Sequence, residues 1–70
     1  MAYPKFIKLS NGQQFRYINV NMIKEIDPIK YTDHSTTYNS FVYLTGLHEG
    51  YYFIETPEEI LRLIEGDSND

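Results

Sequence analysis

The chain reads as a small α+β domain, mainly β. It should hold about five antiparallel strands, as two hairpins plus a linking strand, in a curved or barrel-like arrangement closed by one C-terminal helix. Three observations predict this. A compact helix start signal lies at Thr56-Pro57-Glu58-Glu59, just before the apolar Ile60, Leu61, Leu63 and Ile64. An Asn11-Gly12 pair separates two strand-like runs, and this dipeptide readily adopts the positive φ values of tight hairpins. Upstream of Thr56 the apolar residues follow strand-type spacing.

Taken in order, Lys5-Phe6-Ile7-Lys8-Leu9-Ser10 alternates well enough for a first strand, and residues 13–19 make the return strand after Asn11-Gly12. Asn19-Val20-Asn21 is a turn candidate, with Asn21 able to cap a short turn before Met22 and Ile23. Residues 22–29 read as a third strand with Ile26 inward. Pro28 places its end at an edge or a bulge, because proline cannot donate to a ladder. The polar stretch 31–40 has no periodicity and reads as the longest loop and the most mobile internal segment. Strand four is 40–45 and strand five is 51–55, joined by the glycine-bracketed turn Gly46–Gly50.

The helix should run from about 57 to 65. Thr56 caps it, Pro57 suits the first helical position, and Glu59 completes a capping box. Gly66 is a fitting C-cap. Helices this short are marginal alone, so its apolar residues must dock on the sheet. Residues 1–66 then form one domain, and 67–70 a disordered acidic tail.

With 70 residues, such a domain buries only about 60% of its unfolded surface. No cysteine staples it. Stability must come from dense packing or from a partner subunit. Aromatic residues, 16% of the chain with seven tyrosines, suit dense packing. The net charge of −4 and the scattered Lys and Arg residues argue against a general nucleic-acid binder. No apolar run is long enough to cross a bilayer, so no membrane insertion is expected. Met1-Ala2-Tyr3-Pro4-Lys5 lacks an apolar core region, so no signal peptide is expected and the expected location is cytoplasmic.

The residues that could carry chemistry have plainer readings. His34, beside Asp33 and Ser35, is expected to be a loop histidine, since sequence neighbours do not converge on one reaction centre. His48 beside Glu49 reads as a turn residue. Glu55, Glu58, Glu59 and Glu65 gather around the helix, and negative charge is favourable near its start. No catalytic residue, cofactor or metal site is therefore expected. Tyr17, Tyr43, Tyr51 and Tyr52 fit core and interface roles better than base stacking, because stacking platforms come with basic grooves.

The order of these features resembles a family of small bacterial flagellar proteins, FlbD (also called SwrD). The resemblance rests on Ile7-Lys8-Leu9, Asn11-Gly12 and Phe15, and on the run from Ile18 to Asp27. It continues through Val42-Tyr43-Leu44, Tyr52-Phe53-Ile54-Glu55 and Glu59-Ile60, spanning about 7–64. The 31–40 stretch and the Gly46–Gly50 turn are longer here than in that pattern. The resemblance implies a small cytoplasmic motility accessory without catalysis. The alternatives are a nucleic-acid-binding small β-barrel, or a phage- or plasmid-encoded accessory protein.

Strands four and five are apolar on both faces, unlike an antiparallel sheet with one solvated face. The expected faces are Val42, Leu44, Tyr52 and Ile54 on one side, and Phe41, Tyr43, Tyr51 and Phe53 on the other. One helix covers one face. The second set is the candidate interface, with a protein partner or, in a homo-oligomer, a second copy of the chain.

Overall fold

A computed structural model describes residues 5–46 and 48–66. The expected tail at 67–70, and Leu47 in the turn, lie outside the described residues. The elements are β1 (Phe6–Ser10), β2 (Phe15–Asn19), a 3-10 turn (Val20–Met22), β3 (Ile23–Asp33), β4 (Thr36–Leu44), β5 (Gly50–Phe53) and α1 (Pro57–Glu65). All strand pairs are antiparallel. The strands divide between two sheets, β1-β2 and β3-β4-β5.

The two sheets enclose one core of Ile7, Leu9, Ile18, Val42, Leu44 and Phe53, sealed by Ile60 of α1. Alternation explains the strand contributions: Ile7 and Leu9 on β1, and Val42 and Leu44 on β4, each lie two residues apart on one face. Tyr51 and Ile64 pack around them. The sheets meet where β5 runs into α1. There the Ile54 N–H donates to the Ser10 carbonyl at 2.9 Å. The Ser10 N–H in turn donates to the Glu55 carboxylate at 3.0 and 3.1 Å.

α1 begins and ends as its sequence predicts. The Thr56 hydroxyl accepts from the Glu59 N–H at 3.2 Å, and Glu59 Oε1 accepts from the Thr56 N–H at 2.8 Å. Gly66 closes the helix in the left-handed region, at φ 68°. The Lys5 ammonium donates to the Ile64 carbonyl at 2.6 Å, near the negative end of the helix dipole. The buried face is narrower than expected. Ile60 is fully buried and Ile64 partly, whereas Leu61 and Leu63 remain exposed on either flank.

Four local expectations are corrected. The stretch 31–40 is not a loop: β3 and β4 continue through it and turn at His34-Ser35, where His34 has φ 58°. Tyr31 pairs with Tyr38 and Thr32 with Thr37, whose hydroxyls lie 3.0 Å apart. Tyr and Thr favour strands. The ribbon runs past the core here, so no apolar-polar alternation marks it. Asn11-Gly12 does not make a two-residue turn. The loop spans 11–14, with the Asn11 side chain accepting from the Gln13 and Gln14 N–H groups, so β2 starts at Phe15. Asn19, not Asn21, caps the 3-10 turn: its side chain accepts from the Asn21 N–H at 2.9 Å. β5 is Gly50–Phe53 rather than 51–55, because Ile54 bonds across to β1. Pro28 lies on edge strand β3 beside a register shift, as its missing N–H requires.

The hairpin tip packs on the other sheet. The Tyr38 hydroxyl donates to the Asn11 carbonyl at 3.1 Å. A Cβ on Gly12 would stand 2.9 Å from Thr36 Cγ2, and Gly12 also has φ 95°.

Ile60→Ala should cost roughly 2–5 kcal/mol, and Thr56→Ala about 1 kcal/mol. Urea unfolding measures both, and an unchanged midpoint for Ile60→Ala would reject the docked helix. In hydrogen exchange, the ladder amides of the 31–38 hairpin should exchange more slowly than those of His48 and Glu49. Uniformly fast exchange across 31–38 would reject the pairing.

Candidate functional site

Register decides which face each aromatic occupies. Phe41 pairs with Tyr52 and Tyr43 with Gly50, while Ser40 pairs with Phe53 and Val42 with Tyr51. Cross-strand partners share a face. Phe41, Tyr43 and Tyr52 therefore face away from the core, whereas Tyr51 and Phe53 face inward, with Phe53 fully buried. The expected grouping of Phe41, Tyr43, Tyr51 and Phe53 on one face is thus split in two. A one-residue difference in register between β4 and β5 exchanges the faces of every β5 side chain.

On β3, Glu25 pairs with Tyr43 and Asp27 with Phe41. The outer face thus presents two rows, Glu25-Tyr43-Gly50 and Asp27-Phe41-Tyr52. The rings are in contact: Phe41 meets Tyr43 edge-on at 4.9 Å between centroids, and Tyr52 at 4.7 Å. Tyr52 carries the contact on to Tyr31 at 5.0 Å and Tyr38 at 5.6 Å. Five rings form one continuous aromatic stripe. Gly50 is needed here for space: a Cβ would run into the Val42 carbonyl and stand 2.9 Å from Phe41 Cε2.

The acidic flank shapes the electrostatics. A hydrogen bond to the Asp27 side chain, then the Asp27 charge, raise the Glu25 carboxyl above its ordinary value of 4.5. Partial burial, then the charges of Asp27 and Glu25, raise the Tyr43 phenol above its ordinary range. The two carboxylates therefore make this face negative, beside rings that offer π surface. A cation bound against them would meet both attractions.

The remaining candidates lie elsewhere. His34 is exposed at the hairpin tip, its imidazole 3.9 Å from the Asp33 carboxylate. His48 and Glu49 line an open hollow of 310 Å³. Glu59 serves the helix cap, and Glu55 holds the junction between the sheets. Among the described residues, no group of three or more His, Asp or Glu gathers as metal ligands. No described helix is long and apolar enough to cross a membrane. Tyr17 lies on the other sheet, 65% exposed. Tyr31, Tyr38, Glu25 and Asp27 were not singled out from sequence. The alternation Lys24-Glu25-Ile26-Asp27 does show that the two acids share a face, but nothing local shows which rings they face.

Comparison with known proteins finds no family model, curated protein or solved structure that matches this chain.

The Glu25–Asp27 pair should leave a pH signature. A raised folded pKa means that Glu25 holds its proton more tightly folded than unfolded. Its contribution is fully present below the ordinary carboxylate value and is lost as pH rises through the raised value. Glu25→Gln should therefore melt higher than wild type at neutral pH, with the difference vanishing below about pH 4. A Tm difference independent of pH would reject the coupling.

Proposed function

We propose that this protein is a non-catalytic interaction module whose outer β3-β4-β5 face docks a cationic polypeptide surface. The observation that carries this reading is the aromatic stripe of Phe41, Tyr43 and Tyr52 flanked by Glu25 and Asp27. Tyrosine and phenylalanine are favoured at the centres of protein interfaces, and acidic neighbours select a cationic partner. The same acids oppose nucleic acid, whose phosphates would approach a negative surface. The titratable groups near the stripe act here by charge; none is asked to transfer a proton.

The cellular setting proposed is the cytoplasm. The residues that resemble the flagellar proteins suggest a motility accessory. That role rests on those residues alone, and deletion of the gene in a flagellated host tests it. Reduced swarming at normal growth rate supports the role, and unchanged swarming rejects it.

Fluorescence anisotropy tests the docking chemistry. The probes are a labelled peptide of alternating lysine and tyrosine, its glutamate counterpart, and single-stranded oligonucleotides. Saturable binding of the lysine peptide alone, lost in Asp27→Lys, is the expected result. Tight, salt-sensitive oligonucleotide binding, or lysine-peptide binding untouched by Asp27→Lys, would overturn the reading.

A further inference from the structure

The second sheet has an outer face of opposite character. On β1 and β2, Ile7, Leu9 and Ile18 point into the core, and Arg16 packs its guanidinium 4.7 Å from the Tyr51 ring centroid. The alternate residues Phe6, Lys8, Phe15 and Tyr17 therefore point outward. Phe6 is 57% exposed, Phe15 57% and Tyr17 65%. Three large rings more than half exposed on one hairpin of two five-residue strands form an apolar patch that a solitary small domain seldom leaves uncovered. Its charge is positive. Lys8 pairs with Tyr17 and sits 4.2 Å from the Phe15 ring centroid. Beside it, Phe6, Tyr17, Met22 and Leu44 line an open groove of 550 Å³.

We propose that the β1-β2 outer face of one copy docks on the β3-β4-β5 outer face of the next, giving head-to-tail self-association. This inference rests on the docking function proposed above and names its occupant. Complementarity supports it: an aromatic face centred on a lysine meets an aromatic face edged by Glu25 and Asp27. The geometry fixes the mode. Both sheets turn their inner faces to one core, so their outer faces look away from each other. A single pairing of unlike faces leaves one of each unused. Such heterologous contacts propagate into a ring or an open stack rather than closing as a two-fold dimer.

The test uses two variants that each spoil one face, Tyr17→Glu and Tyr43→Glu, with Tyr52→Glu as a second outer-face variant. Circular dichroism establishes that each is folded. In sedimentation velocity, the wild type should form species larger than a dimer as concentration rises, while each variant alone stays monomeric. Mixed in equal amounts, Tyr17→Glu and Tyr43→Glu retain one good face of each kind and should form a 1:1 dimer and nothing larger. The mixed variants staying monomeric would overturn the head-to-tail arrangement. So would a Tyr17→Glu protein that still dimerises alone, since it would point to like faces pairing. A wild type that is monomeric at all concentrations yet binds the lysine peptide would reject self-association and leave the docking function standing.

Discussion

Two small sheets can share one core only if the backbone where they meet finds hydrogen-bond partners. In this chain the requirement falls on Ser10, Ile54 and Glu55. The Ile54 N–H and Ser10 carbonyl bridge the sheets, and the Glu55 carboxylate accepts from the Ser10 N–H. The carbonyls on the same segment are taken up by side chains of β4: Asn39 donates to Ile54 at 2.8 Å and Ser40 to Glu55 at 2.6 Å. Ser40 is fully buried, so its hydroxyl would cost stability if it had no acceptor. This junction lies directly before Thr56, and it fixes where α1 starts and hence where Ile60 enters the core. Loss of the junction would free the two-stranded sheet, which cannot stand alone in water.

The same economy of size accounts for the exposed faces. One nine-residue helix cannot cover two sheets, and Ile60 is its only fully buried side chain. Both outer faces consequently keep aromatic rings at the surface. On the larger sheet the rings contact one another, which hides part of each: Phe41 and Tyr43 are half-buried without a covering element. On the smaller sheet the rings are farther out, with Lys8 laid over Phe15. The charges differ in sign between the two faces, and in the docking we propose that difference, rather than the apolar area alone, would give each face a preference among partners.

What the sequence revealed depended on how local each signal was. The helix, its capping box and its C-cap were legible because each is built from residues within one or two turns. The strands around the core were legible where one face was buried, as at Ile7 and Leu9. The 31–38 hairpin was not, because its residues lie beyond the core and carry no apolar-polar contrast. Only the strand preference of its Tyr and Thr residues remained as a signal. The candidate surface was half legible. An aromatic excess in β4 and β5 was plain, but the grouping of rings depends on cross-strand register. Register here is set by the Ile54–Ser10 bridge and the Ser40–Phe53 pairing, both contacts between residues distant in the chain.

Sheet proteins with exposed strands risk joining edge to edge, and this fold limits that route. The free edge of β3 carries Pro28, with a register shift between it and Tyr31 and another between Ile23 and Glu25. Lys24 and Lys30 lie within those same irregular stretches. Proline, bulges and lysines on an edge are the features that disfavour strand addition. At the other edge, the chain leaving β5 is bonded to β1 through Ile54. With the β3 edge interrupted by Pro28 and the chain after β5 bonded to β1, the docking we propose uses the faces of the larger sheet rather than its edges. Faces select partners through side chains, and edges through a backbone pattern common to all chains. On the docking we propose, rings and carboxylates on one face and rings and a lysine on the other would let a protein this small discriminate among partners rather than polymerise indiscriminately.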